Sequence, residues 1–499
     1  MVRVRFAPSP TGPLHLGGIR TALFNYLFAK KNGGKFILRI EDTDRKRFNK
    51  KSESYILETL KWCKIEPDEG VGYGGPYFPY YQSKRGSIYR FYLSKLLKKG
   101  LAYYAFDTDH DLNSIRKKYL NKGSTFSYNA SVRKNLKNSL TMTKKELKTQ
   151  FRSGNSYVIR FKIKPGDKVE MYDLIRGIIV INTDNLDDKI LFKSDGTATY
   201  HLANTIDDHL MKITHVIRGE EWLPSMSLHL LMYKAFNWNP PNFAHLPLIL
   251  KNDGKGKISK RFINNLDYPI FPLKWKDSEN KDILGFRELG YFPDAFVNML
   301  ALLGWNPGTK KEIFSLQELS KLFSLEKVNK SSVFFNIKKA NWFNKQYLKN
   351  KKEEIFSHLS LELKKRSIFS TKNYIYKVID CIINRIHFIH EIWKHSFYFF
   401  IGPISYDYSF FNQICYKKTI DRLDNWKKLL LSIHPYTSIN LKSFFDKENN
   451  KRKMMQIFRL SLVGSIKGYD LIIILKMIGK EECIHRIDRL IKKIRKKLE

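Results

Sequence analysis

Two stretches of this chain carry residue types that can handle a polyphosphate. The first, Pro8-Ser9-Pro10-Thr11-Gly12-Pro13-Leu14-His15-Leu16-Gly17-Gly18, sets one imidazole and two adjacent glycines behind a turn rich in Pro, Ser and Gly. A strand, a constrained loop and a helix start, in that order, create an anion site from free backbone N–H groups and the helix dipole. Gly17 and Gly18 let an adenine or ribose approach the backbone. His15 can donate to a phosphate oxygen as charge builds in a transition state. In the second stretch, far downstream, Lys255, Lys257, Lys260 and Arg261 interleave with Gly254, Gly256 and Ser259. Lysines in a glycine-containing loop can swing onto a triphosphate and neutralise it. Each stretch alone has a plainer reading, a turn with a surface histidine and a solvated basic loop. Together they read as two halves of an ATP site that activates a carboxylate.

Only a folded domain brings these stretches together. Residues 2–6 alternate and read as a strand. A helix follows from about Leu16, with Ile19, Ala22, Leu23, Tyr26 and Leu27 on one face, and Gly33-Gly34 ends it. Residues 35–40 read as the next strand, running into Glu41-Asp42-Thr43-Asp44. This βαβ opening predicts a parallel sheet with ligands at the carboxyl ends of its strands. No GxGxxG is present, so the dinucleotide fingerprint is absent. Residues 107–188 read as an insertion between two halves of the sheet, with strand character at 157–163 and 177–181. Sheet character resumes at Ile190 and continues through a helix from Leu202 and a strand over 214–218. From about Leu325 apolar residues fall at helical spacing, broken by Lys-rich turns, which predicts an all-helical second half.

Bulk properties bound the rest. A chain of 499 residues exceeds one core, so two to four domains are expected. Its 89 basic against 48 acidic residues give a net charge of +41, which suits a polyanionic partner and binding that weakens with salt. Lys, Ile, Asn, Phe and Tyr are enriched everywhere, so compositional bias accounts for the excess equally well; the charge permits a nucleic-acid partner without proving one. The four cysteines, Cys63, Cys381, Cys415 and Cys483, are far apart and form no CxxC pair, so neither a zinc ribbon nor a disulfide scaffold is implied. A reduced, cytoplasmic setting fits. There is no apolar leader, and no apolar run is long enough for a membrane span.

Several further segments join the two stretches into one pattern. They are Val4-Arg5-Phe6-Ala7, Leu38-Arg39-Ile40-Glu41-Asp42-Thr43-Asp44, Gly74-Gly75-Pro76-Tyr77 with Tyr81-Gln82-Ser83, and Lys193-Ser194-Asp195-Gly196. Downstream come Tyr200-His201-Leu202-Ala203-Asn204 with Asp207-Asp208-His209, then Val216-Ile217-Arg218-Gly219-Glu220-Glu221-Trp222, then Lys257-Ile258-Ser259-Lys260-Arg261. In order and spacing, through about residue 345, the pattern closely resembles the bacterial-type glutamyl-tRNA synthetases, which are class I aminoacyl-tRNA synthetases. The resemblance implies an α/β fold: a class I Rossmann-type parallel sheet with an inserted acceptor-binding domain, followed by an all-helical anticodon-binding half. The implied domains are residues 1–106, the insertion 107–188, a second sheet half with the lysine loop at 189–325, and the helical part 326–499. Gly18 stands where other class I enzymes carry a second histidine, as is usual for the glutamyl type. Some relatives hold zinc in the insertion, but the corresponding Ala105-Phe106-Asp107-Thr108-Asp109 contains no Cys, so no zinc is expected.

The resemblance also implies roles. His15, Lys257 and Lys260 would neutralise phosphate charge, and Ala7, His15, Gly17, Gly18, Glu221, Trp222 and Lys260 would hold ATP. Arg5 and Arg218 would grip the two carboxylates of glutamate, for which the planar guanidinium is well shaped. Glu41 would receive the ammonium, and Ser9, Tyr200 and Asn204 would supply neutral hydrogen bonds. Asp44 would lie near the tRNA 3′ end, or alternatively cap the following helix; Trp222 reads equally as a core aromatic. His201, His209 and His215 read as structural residues. The implied reaction uses ATP with Mg2+ to form glutamyl-adenylate, then transfers the acyl group to tRNA(Glu), with tRNA required for activation. No obligate protein partner and no membrane association are implied. Three alternatives compete: a nucleotidyltransferase-like enzyme acting on a small cofactor precursor, a shorter paralogue that glutamylates a modified tRNA base, and a non-catalytic RNA-binding relative. Relatives that also charge tRNA(Gln) leave the RNA specificity open.

Overall fold

The computed structural model describes residues 1–44, 47–250, 269–277, 280–433, 440 and 451–499. The chain forms two compact units, Met1–Ala340 and Asn341–Glu499.

The first unit opens as the alternation and turn chemistry predict. Strand β1 (Arg3–Phe6) leads through the Pro/Gly loop into helix α1 (Leu16–Lys31), and β2 (Lys35–Leu38) returns parallel to β1 with Arg3 opposite Lys35 and Phe6 opposite Leu38. Helix α2 (Lys50–Trp62) leads to the short β3 (Glu69–Gly70), parallel to β2. Helix α3 (Gly86–Lys98) follows. Strands β4 (Ala102–Ala105), β5 (Val158–Phe161) and β8 (Ile190–Phe192) form a separate antiparallel sheet, with α4 (Asp109–Asn121) and α5 (Lys144–Arg152) between its first two strands.

The span 107–188, read from sequence as an insertion, also feeds the second sheet of the core. Strands β6 (Lys168–Asp173) and β7 (Gly177–Asn182) pair as an antiparallel hairpin. Asp173 at the end of β6 stands opposite Phe243 of β10 (Asn242–Leu246) in parallel register. Helix α6 (Tyr200–Leu210), β9 (His215–Gly219) and α7 (Leu223–Phe236) complete the repeat, and β9 runs parallel to β10 with Arg218 opposite His245. The β1 and β9 edges meet where the Thr214 N–H donates to the Arg3 carbonyl at 2.9 Å and the Arg3 N–H donates to the Thr214 hydroxyl at 2.9 Å. Functional residues at the carboxyl ends of β1, β2 and β9 therefore share one crevice, as expected of an open parallel sheet.

Helix α1 is fastened at several points along its length. Its buried Leu16, Ile19, Ala22, Leu23 and Leu27 supply the apolar face. Buried Asn25 donates through Nδ2 to the Ile217 carbonyl of β9 at 3.0 Å, and Arg20 donates to the carbonyls of Leu303, at 3.0 Å, and Pro247. Strand β11 (Ile249–Leu250) pairs in parallel with Val333–Phe334, so the region expected to be helical from Leu325 onward includes a two-residue strand, after a 3-10 turn at Leu325–Lys327.

The second unit is helical throughout its described residues, with helices including Lys352–Lys365, Lys372–Ile382, Ile392–Phe400, Lys417–Ser432, Lys451–Val463 and Lys480–Leu498. Its core holds the buried Arg486, which donates to the carbonyls of Tyr398 and Leu462 at 2.6 and 2.7 Å and to Glu482 at 2.7 Å. Among the described residues no helix is long and apolar enough to cross a membrane.

Candidate active site

A cavity of about 250 Å³ opens at the carboxyl ends of β1, β2 and β9. Of the residues singled out in the sequence, Arg5, Ala7, Ser9, His15, Gly17, Gly18, Glu41, Tyr200, Asn204, Arg218, Glu221 and Trp222 all line it. Lys257 and Lys260 lie outside the described residues. Asp44 does not line this cavity. It is partly exposed and pairs with Arg47 at 2.6 Å, which holds its carboxyl below the usual range. The capping alternative for Asp44 is overturned, because the side chain that caps α2 is Asn49.

His15 is the N-cap of α1. Its Nδ1 accepts the Gly17 N–H at 3.0 Å. An imidazole nitrogen that accepts carries no proton, so in the neutral ring the proton sits on Nε2, which is left as the donor. Gly17 is needed for this seat: a Cβ there would lie 2.9 Å from His15 Cε1 and 3.1 Å from Nδ1. Across the cavity, a Cβ on Gly219 would collide with the Glu221 carboxylate, so that glycine lets the carboxylate fold back over the strand end. Trp222 is 39% exposed, with its ring 4.4 Å from that of Tyr200, which makes it a wall of the cavity and not a core aromatic.

The opposite end of the cavity is a buried ionic network. Helix α6 presents Tyr200, Asn204 and Asp208 at four-residue spacing, hence on one face. Asp208 accepts from Arg5 Nε at 3.0 Å and Nη2 at 3.2 Å, and from Arg39 Nη1 at 2.7 Å. Glu41 accepts from Arg39 Nη2 at 3.2 Å and Asn204 Nδ2 at 2.9 Å. Burial pushes the Glu41 carboxyl upward despite Arg39, Arg5 and Asn204. Burial acts the same way on Asp208, but Arg5 and Arg39 outweigh it and hold that carboxyl low. Arg218 donates to His245 Nε2 at 3.0 Å, the Tyr200 hydroxyl at 3.1 Å and the Trp222 carbonyl at 3.2 Å. Burial raises the Tyr200 phenol to about 12, so it stays a neutral hydrogen-bonding group.

A site with buried arginines, a buried carboxylate and a helix-capping imidazole at a strand–helix junction agrees with known proteins. Residues 1–342 match the family described as "tRNA synthetases class I (E and Q), catalytic domain", and residues 342–491 match "Anticodon binding domain". The chain belongs to the glutamate–tRNA ligase family of class I aminoacyl-tRNA synthetases. A glutamate–tRNA ligase of Christiangramia forsetii is 48% identical over 98% of both chains. One from Flavobacterium psychrophilum is 49% identical over 98% of this chain and 99% of its own. Among solved structures, a glutamate tRNA ligase from Elizabethkingia meningosepticum in complex with its amino acid superposes with a TM-score of 0.89 at 46% identity, covering 99% of each chain.

Sequence reasoning missed several residues of the synthetase's site. Asp208 was read only as part of a matching segment; its role as shared counter-ion of Arg5 and Arg39 depends on α6 packing over β1 and β2. Asp173 and His245, both fully buried, form a hydrogen-bonded support behind Arg218, with Asp173 2.7 Å from His245 Nδ1. The signal that could have found Asp208 is the four-residue spacing from Tyr200 through Asn204. No comparable signal marks Asp173. The histidines of α6 and its neighbourhood are structural: His209 stacks on Trp238 with ring centroids 3.7 Å apart, His215 contacts the Thr214 hydroxyl at 2.9 Å, and His201 lies 3.3 Å from His229.

Proposed function

We propose that this synthetase activates L-glutamate with ATP and transfers it to the 3′ end of tRNA(Glu), using the cavity residues in the roles that follow. The observation that carries the reading is the charge pattern of the cavity: of the three buried arginines in its lining, Arg20 is engaged by the Leu303 and Pro247 carbonyls, which leaves Arg5 and Arg218 to face one buried carboxylate, Glu41. A dicarboxylic amino acid carries two carboxylates and one ammonium, the complement of that set. Arg5 engages Asp208 through Nε and Nη2, which leaves Nη1 for a substrate carboxylate. The remaining N–H groups of the Arg218 fork take the other carboxylate beside the Tyr200 hydroxyl. Glu41 receives the ammonium, whose charge would draw its raised carboxyl back toward the ionised form.

In the first step the glutamate α-carboxylate oxygen attacks the α-phosphorus of ATP in line, and pyrophosphate leaves. In the second, the terminal ribose hydroxyl of the tRNA attacks the acyl carbon and AMP leaves. His15 donates from Nε2 to a phosphate oxygen, and Lys257 and Lys260 neutralise the leaving pyrophosphate. Gly17, Gly18 and Ala7 let the nucleotide lie against the backbone, with Glu221 and Trp222 at its ribose and adenine. Asp44 contacts the tRNA 3′ end. Mg2+ would enter with the nucleotide, held by its phosphates. Bound there, Mg2+ supplies neutralisation of phosphate charge.

The test is tRNA-dependent ATP–pyrophosphate exchange with glutamate, glutamine and aspartate as the amino acid. Exchange with glutamate alone is expected. Equal exchange with glutamine, or none with glutamate in the presence of tRNA(Glu), overturns the reading.

A further inference from the structure

Arg218 does not stand alone in its strand. Directly across the parallel β9–β10 pair sits His245, and beyond it, at the end of β6, Asp173. Asp173 and His245 are both fully buried, and Arg218 is 4% exposed. Asp173 accepts the backbone N–H groups of Ile175 at 2.9 Å, Arg176 at 2.8 Å and His245 at 3.1 Å, and lies 2.7 Å from His245 Nδ1. A carboxylate among so many donors is ionised and can only accept, so it fixes the imidazole proton on Nδ1. His245 Nε2 is thereby left as a lone pair, and it takes the Arg218 Nε–H at 3.0 Å.

We propose that His245, with its tautomer set by Asp173, is a positioning residue for glutamate recognition that orients the Arg218 fork toward the substrate carboxylate. A guanidinium has five N–H donors in one plane, and binding a carboxylate by two of them requires that plane to be aimed. Tyr200 and the Trp222 carbonyl hold the outer nitrogens at the cavity lip, where substrate also competes for them. The His245 contact is made by Nε on the buried side, so it persists when the amino acid is bound. The proposal rests on the reading of Arg218 as a glutamate-binding arginine.

The test uses two amide substitutions that divide the imidazole's two contacts. His245→Asn places an amide near the former Nδ1, so Asp173 keeps a donor while Arg218 Nε loses its acceptor. His245→Gln carries a carbonyl oxygen to the former Nε2 and restores that acceptor. In aminoacylation with the full chain, His245→Asn is expected to raise KM for glutamate by roughly 10- to 100-fold, the loss of one charge-assisted hydrogen bond. KM for ATP and kcat should stay within about threefold, and His245→Gln should return KM for glutamate to within about threefold of the parent. A purely structural histidine would move melting temperature and every kinetic constant together. Equal glutamate KM values in the two variants overturn the proposal. Asp173→Asn gives a second route: its amide no longer dictates the imidazole tautomer, so KM for glutamate should rise there too, and an unchanged value overturns the proposal equally. Arg218→Ala separates the underlying reading. If it leaves KM for glutamate unchanged, the assignment of Arg218 is wrong; if it raises KM while His245→Asn does not, only the positioning role fails.

Discussion

Replacing Gly17 by Ala should separate catalysis from stability. A Cβ at this position would stand 2.9 Å from His15 Cε1 and 3.1 Å from Nδ1. Non-bonded carbons settle near 3.5–4.0 Å, so the ring must retreat by roughly 0.5–1 Å. Retreat breaks the Gly17 N–H bond to Nδ1, a helix cap worth about 1 kcal/mol. Alanine in place of glycine inside a helix returns up to about 1 kcal/mol, so the net change in stability is close to zero. Catalysis has no such offset. The ring is displaced, and the contact that pinned the proton on Nε2 is gone. A misplacement of about 1 Å can cost about 100-fold in rate. Gly17→Ala should therefore lower kcat for tRNA-dependent ATP–pyrophosphate exchange by roughly 10- to 100-fold while the melting temperature moves by only a few degrees. An exchange rate within twofold of the parent would refute the placement of His15 at the reacting phosphate. A large fall in melting temperature would show instead that the helix, and not the imidazole, absorbs the strain.

Three further outcomes follow from the same geometry. Asp208→Ala strands two buried arginines and should lose roughly 3–5 kcal/mol of stability by denaturant unfolding, whereas a loss under about 1 kcal/mol would mean the network is not shared as described. Burial lowers His201 to about 4 and His229 well below its ordinary value, so the unfolded chain binds more protons than the folded one between pH 6.5 and 4. Stability should fall as pH drops through that window, His201→Gln should flatten the fall, and a melting temperature independent of pH would contradict it. Lys260→Ala should reduce the adenylation rate by roughly 10²–10³, and near-normal exchange would remove that lysine from the reaction.

Much of the site can be read in the sequence because its residues sit at element ends, where turn chemistry and periodicity speak loudest. His15 follows a Pro/Gly loop, Glu41 ends a strand, and Tyr200 and Asn204 are a helical turn apart. What could not be read is what depends on tertiary pairing. Arg39 is an unremarkable strand residue until Asp208 and Glu41 close on either side of it. Asp173 falls in a stretch read as inserted, and only the β6–β10 pairing brings it behind Arg218. The same pairing explains why the span 107–188 is not a body wholly outside the sheet: β6 needs a parallel neighbour for its inner edge, and β10 supplies it. The helical second unit was legible from spacing alone, because its apolar face repeats without help from distant partners.

The fastening of α1 has a metrological consequence. One helix carries the imidazole at its N-cap and, nearly three turns on, grips through Asn25 the β9 backbone at Ile217, beside the second arginine. The distance between the group that meets the phosphate and the group that meets the amino acid is thus set by a rigid rod of fixed pitch, not by the sum of several loops. Errors in loop length or sequence elsewhere in the catalytic unit do not accumulate in that interval. The chain holds its two reactants against a common ruler, and drift in the surrounding surface can proceed without recalibrating it.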